Sequence, residues 1–117
     1  MERENVIVTK TIDFALDIIV FCELLNSNQK FLVSNQLLKS GTSIGANIHE
    51  AQNAESRADF IHKVKIAAKE IEETKYWLLL CEKAPSYPFN ENLKIKINEI
   101  GLIVYKILST SKGNRSM

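Results

Sequence analysis

The stretch VSNQLLKSGTSIGANIHEAQN, residues 33–53, decides the fold. Leu37, Gly41, Ile44, Ile48 and Ala51 alternate spacings of four and three, which places them on one face of a helix that needs other helices to cover it. Ser34 is a good N-cap, and Val33 and Leu38 are spaced for a hydrophobic staple across it, so a helix is expected over 34–53. Gly41 and Gly45 stand inside that helix, each at a cost of about 1 kcal/mol relative to Ala. A packing gain has to offset this. Gly41, Ser43, Gly45 and Asn47 are therefore read together as a helix-packing motif. The glycines leave a groove for a neighbouring helix, and Ser43 and Asn47 flank Ile44 and Ile48, where they can hydrogen-bond across the core edge.

Downstream, Ser56 followed by Asp59 resembles a capping box and opens a helix expected over 57–83. Phe60, Val64, Ala67, Ile71, Thr74, Leu78 and Cys81 keep the same four-three spacing through three heptads. Its outer face carries Lys65, Lys69, Glu72, Glu73 and Tyr76, and Pro85 and Pro88 end it. Asn90 caps a helix expected over 91–110, with Leu93, Ile97, Ile100, Val104 and Ile107 as its stripe; beyond Ser109 a frayed basic tail is expected.

Upstream, a helix is expected over 11–26, with Thr9 or Thr11 as its cap and residues 1–10 as an irregular lead-in containing Val6, Ile7 and Val8. Asn26 to Lys30 is a polar loop. Ile12, Leu16, Val20, Phe21 and Leu24 widen the stripe of this first helix beyond what one bundle core uses, and Ile95, Leu102 and Tyr105 do the same on the last. Surplus apolar faces on both helices point to self-association. Four amphipathic helices joined by short loops pack best as an all-α, antiparallel up-down-up-down four-helix bundle, expected to be one domain over residues 1–117.

Composition excludes little by itself. With 15 Lys and Arg against 14 Asp and Glu, any basic site must be local. The longest apolar runs, Ile18–Cys22 and Trp77–Cys81, are far short of a membrane span, and the polar, acidic start Met-Glu-Arg-Glu-Asn is unlike a secretory signal, so a cytoplasmic protein is expected. Cys22 and Cys81 have no CxxC partner or nearby His and read as buried free thiols.

Chemical motifs fail one by one. SGTSIGAN lacks the Lys-Ser/Thr of a phosphate-binding loop and no strand precedes it. His49-Glu50 begins like a zinc-binding HExxH, but Asn53 stands where the second His belongs. No Glu-x-x-His occurs for a di-iron bundle, and no Ser lies in a nucleophile elbow. No cofactor, metal or catalytic residue is expected. What remains is basic helix faces: Lys63, Lys65, Lys69 and Lys75 on the third helix, then Lys94, Lys96, Lys106, Lys112 and Arg115 toward the C-terminus, diluted by Glu70, Glu72, Glu73 and Glu99. Of these, Lys63, Lys65, Lys69, Lys75, Lys106, Lys112 and Arg115 are the candidate nucleic-acid-binding residues, and repetition in a ring of copies would strengthen a patch that is modest on one chain.

SNQLLKSGTSIGANIHEAQ and SRADFIHKVKIAAKEIEETKYWL, with Gln36, Leu37, Ser43, Ile44, Asn47, Ile48, Phe60 and Glu72 in matching places, resemble the bacterial 23S rRNA intervening-sequence proteins over essentially the whole chain. Lys39 and His49 stand where that family commonly has Arg and Ala. The resemblance implies an antiparallel bundle assembled as a homopentamer, with no known catalytic activity. It also implies kinship with a pentameric accessory protein of diversity-generating retroelements that binds nucleic acid and a reverse transcriptase. Two functions follow as expectations. One is a non-catalytic homo-oligomer that binds structured RNA or other nucleic acid, with a nucleic-acid-processing enzyme as the kind of protein partner it would serve. The other is a protein–protein adaptor with no nucleic-acid contact of its own.

Overall fold

The computed structural model describes residues 2–116, and the side chains of residues 6–111. Four helices run α1 (Glu2–Ser27), α2 (Phe31–Ala51), α3 (Arg57–Lys83) and α4 (Glu91–Ser116), with no strand among the described residues. They form a rod of 51 × 22 × 22 Å in which α1 packs on α2 and α4, and α3 packs on the same two helices. The pairs α1/α3 and α2/α4 are thus diagonals of the bundle, so the outer faces of α1 and α3 look in opposite directions. This is the expected four-helix bundle.

The stripes read from the sequence form the core. Leu37, Ile44, Ile48 and Ala51 of α2 are buried with Val64, Ala67, Ile71, Leu78 and Cys81 of α3 and Leu93, Ile97, Ile100 and Val104 of α4. On α3 the buried residue of the first turn is Ile61, while Phe60 is half-buried beside it. Ser56 caps α3 by accepting from the Asp59 backbone N–H at 3.0 Å, and Asp59 Oδ2 accepts from the Glu55 N–H at 3.2 Å. The Asn90 side chain accepts from the Leu93 N–H at 3.2 Å, as its position at the start of α4 requires.

Three boundaries differ from expectation. Helix α1 begins at Glu2, because Ile7 is buried in the core and the gain from burying it outweighs the extended preference of three β-branched residues. Thr11, read as a cap, lies inside the helix and its hydroxyl satisfies itself on the Ile7 and Val8 carbonyls, both at 3.0 Å. Helix α2 begins at Phe31, with Lys30 at the cap position and no capping side chain. Ser34 is an interior, buried residue whose hydroxyl donates to the Cys22 carbonyl at 3.2 Å, tying α2 to α1. With α2 starting at Phe31, Val33 and Leu38 both lie inside the helix and do not straddle a cap at Ser34, so the pair forms no staple. Finally, α4 continues as helix to Ser116.

The glycine pair of α2 meets α1. A Cβ on Gly41 would lie 2.9 Å from Ile18 Cγ1, and one on Gly45 would lie 3.3 Å from both the carbonyl oxygen and the side chain of Thr11. Helix α1 is therefore seated where α2 has no side chain. Ser43 and Asn47 bond within their own helix, Ser43 Oγ to the Lys39 carbonyl at 2.6 Å and Asn47 Nδ2 to the Ser43 carbonyl at 2.9 Å, and neither reaches another helix. The hydroxyls of α2 that do cross are Ser34, to the Cys22 carbonyl of α1, and Ser40, buried 2.9 Å from the Thr74 hydroxyl of α3.

Candidate functional site

The seven candidate cations separate by what holds them. Lys63 is bound by Glu50 at 2.8 Å, and that carboxylate raises the Lys63 pKa; Lys75 pairs with Glu72 at 3.5 Å. Lys75 also lies over the Tyr105 ring, 5.7 Å from its centroid, in space left by Gly101 of α4. Lys65, Lys69 and Lys106 are exposed, with no carboxylate oxygen within 4.0 Å among the described residues. The side chains of Lys112 and Arg115 lie outside the described residues. Phosphate neutralisation asks for the second group, since a lysine already paired has to break a contact first.

Four cations outside that set share this condition among the described residues: Lys10, Lys39, Arg57 and Lys83. Lys83 is exposed near the end of α3, and Lys39 is exposed on α2. Lys39 lies close enough to the half-buried Glu70 to lower its pKa, although burial and Glu73 prevail and leave that carboxyl raised overall. Heptad spacing was the available signal for Lys83: Lys69, Tyr76 and Lys83 are seven apart and so fall on one face of α3.

Two exposed acidic residues of α3 between Lys69 and Tyr76 have side-chain partners. Glu72 accepts a hydrogen bond from the Tyr105 hydroxyl of α4, and burial together with this bond pushes the tyrosine pKa up to about 12. Glu73 accepts from Trp77 Nε1 at 3.2 Å. The Trp77 ring meets the exposed Tyr76 ring edge-on, with centroids 5.3 Å apart and planes 69° from parallel.

The exposed face of α1, diagonal to α3, is apolar, and α4 between them has exposed apolar residues as well. Ile12, Leu16, Ile19, Val20 and Leu24 of α1 are all at least two-fifths exposed, and on α4 Leu102 is 73% exposed and Ile95 nearly half. Acidic rather than basic groups punctuate α1 there, as Asp13, Asp17 and Glu23, with Lys96 of α4 bound to Asp17. Two grooves flank the first half of α4. One, about 210 Å³, has Leu78, Leu79, Phe89 and Ile97 as its lining with Lys75 and Lys94 at its rim; the other, about 280 Å³ between α1 and α4, contains Asp17, Val20, Leu24 and Lys96.

Neither groove brings together a nucleophile, a base and an oxyanion donor. Cys22 and Cys81 are free and buried, and burial raises both thiols, Cys81 to about 11. Among the described residues no three His, Cys, Asp or Glu side chains gather to hold a metal, and no helix is long and apolar enough to cross a membrane. His49 and His62 are exposed on separate helices.

Comparison with known proteins gives a consistent result. The family described as 23S rRNA-intervening sequence protein matches residues 3–106. A crystal structure of a protein of unknown function from the S23 ribosomal protein family of Bacteroides thetaiotaomicron VPI-5482 is 42% identical, covers 92% of this chain and 98% of its own, and superposes with a TM-score of 0.86. No curated protein matches.

Proposed function

The chain belongs to the 23S rRNA-intervening sequence protein family, and on that premise we propose that it is a non-catalytic, self-associating bundle that binds structured RNA or other nucleic acid through α3. The observation that carries the reading is the opposition of two faces: exposed Lys65, Lys69 and Lys83 on α3 with no paired carboxylate among the described residues, and an exposed apolar stripe on the diagonally opposed α1. A ring of copies closed through α1 and α4, a homopentamer by family resemblance, covers the apolar stripes and turns every α3 outward. Several modest cationic faces then act on one polyanion, and avidity raises affinity without any new contact.

The test is binding of purified, nucleic-acid-free protein to a labelled structured RNA across a salt series. Submicromolar binding with a steep fall of log affinity against log salt supports the reading, because the slope counts neutralised phosphates. No binding at low salt overturns it. The protein-adaptor reading would then lead, favoured by the apolar groove of Leu78, Leu79, Phe89 and Ile97.

A further inference from the structure

The outer face of α3 is more than cationic. Tyr76 is 53% exposed, and Trp77, the only tryptophan, abuts its ring edge-on and is itself held by Glu73. Lys69 and Lys83 stand two helical turns before and after it, about 10 Å along the axis on either side. Lys65 extends the same stripe by one more turn. Of the two exposed acids beside it, Glu72 is paired with Lys75 and accepts from the Tyr105 hydroxyl, and Glu73 accepts from Trp77 Nε1, which fixes the carboxylate against the indole without cancelling its charge.

We propose that this stripe is a stacking platform for unpaired bases, with one base seated on the face of Tyr76 while Lys69 and Lys83 neutralise phosphates on the strand to either side. The inference rests on the nucleic-acid reading above and narrows it from nucleic acid in general to single-stranded segments, as in a loop or an unpaired end. An exposed, oriented aromatic ring adds nothing to the binding of duplex phosphates, whose bases are already stacked inside the helix. It adds about 1–3 kcal/mol per base when the base is free to leave the stack. The alternation of cation, ring and cation along one helix matches a strand whose phosphates and bases are both accessible.

Fluorescence anisotropy decides it, with a labelled unstructured 20-nucleotide RNA and a hairpin duplex of equal length as probes, on the wild type and on Tyr76→Phe, Tyr76→Ala and Lys69→Gln. Expected are tighter binding of the single strand than of the duplex, retention of affinity in Tyr76→Phe, and a loss of about tenfold in Tyr76→Ala confined to the single strand. Lys69→Gln should flatten the salt slope by about 0.7. Trp77 emission, read separately, should change on binding of the single strand and not of the duplex. Wild-type binding that is equal for both probes and unchanged in Tyr76→Ala overturns the platform and leaves the proposed function standing. Absence of binding to either probe overturns both. Because Tyr76 is exposed, its variants should melt with the wild type, which separates a lost contact from a lost fold.

Discussion

Gly41 of α2 lies directly against Ile18 of α1, close enough that a Cβ at position 41 would sit 2.9 Å from Ile18 Cγ1 and 3.0 Å from Cγ2. Both atoms are at the branched base of a fully buried side chain and have nowhere to rotate. The helix–helix distance at this crossing is therefore set by the missing side chain.

Gly41→Ala should destabilise the protein, since overpacking of about 1–3 kcal/mol exceeds the helix-propensity gain of about 1 kcal/mol. Urea denaturation measures it, and Ile18→Ala supplies the check. In that background the penalty should shrink or reverse, because the obstructing atoms are gone while the propensity gain remains. An additive double mutant would show that the contact is not the cause.

Thr74→Val should cost about 1–2 kcal/mol by leaving the buried Ser40 hydroxyl without its partner at 2.9 Å. Removing both hydroxyls with Ser40→Ala and Thr74→Val should cost less than the sum of the two single changes. A cycle in equilibrium unfolding reads the coupling directly.

Leu16→Glu combined with Val20→Glu should yield a folded monomer while the wild type sediments as an oligomer at micromolar concentration. Both residues lie on the exposed stripe of α1, so circular dichroism should stay helical. A monomeric wild type would remove the basis for self-association.

Lys65→Glu with Lys69→Glu should weaken RNA binding by about tenfold or more at low salt and reduce the salt slope. Lys63→Gln should change it little, because Glu50 already holds that ammonium at 2.8 Å. Equal effects of the two variants would place the interface elsewhere.

Alkaline pH should destabilise the bundle in a window set by Cys81. Its thiol has an ordinary value of 9.0 in the unfolded chain and about 11 in the folded one. Below pH 9 both states hold the proton and the stabilising difference is complete; between about 9 and 11 only the folded state holds it, so stability falls as pH rises. Two pH units correspond to roughly 3 kcal/mol. Urea midpoints at pH 8 and pH 10.5 should separate more for wild type than for Cys81→Ala, and a thiol reagent should react with neither cysteine until denaturant is added.

The sequence by itself determined the class of fold, because the apolar residues of α2, α3 and α4 repeat at intervals that only a helix brings onto one side, and the Ser56 and Asn90 caps mark two of the starts. It also pointed to a close approach at Gly41 and Gly45, since interior glycines that cost helix stability need a packing reason. It misplaced the starts of α1 and α2 because local rules cannot see burial. Ile7 is helical because the core accepts it, and Ser34 resembles a cap until its hydroxyl is found on the Cys22 carbonyl of another helix. Which lysines are available depends on how the helices pack. Lys63 and Lys65 are two residues apart and alike in composition, yet the first faces Glu50 across the α2–α3 seam and the second faces outward. Pairing of this kind depends on the rotation of each helix about its own axis, which is set by the whole core at once and not by any stretch within one helix.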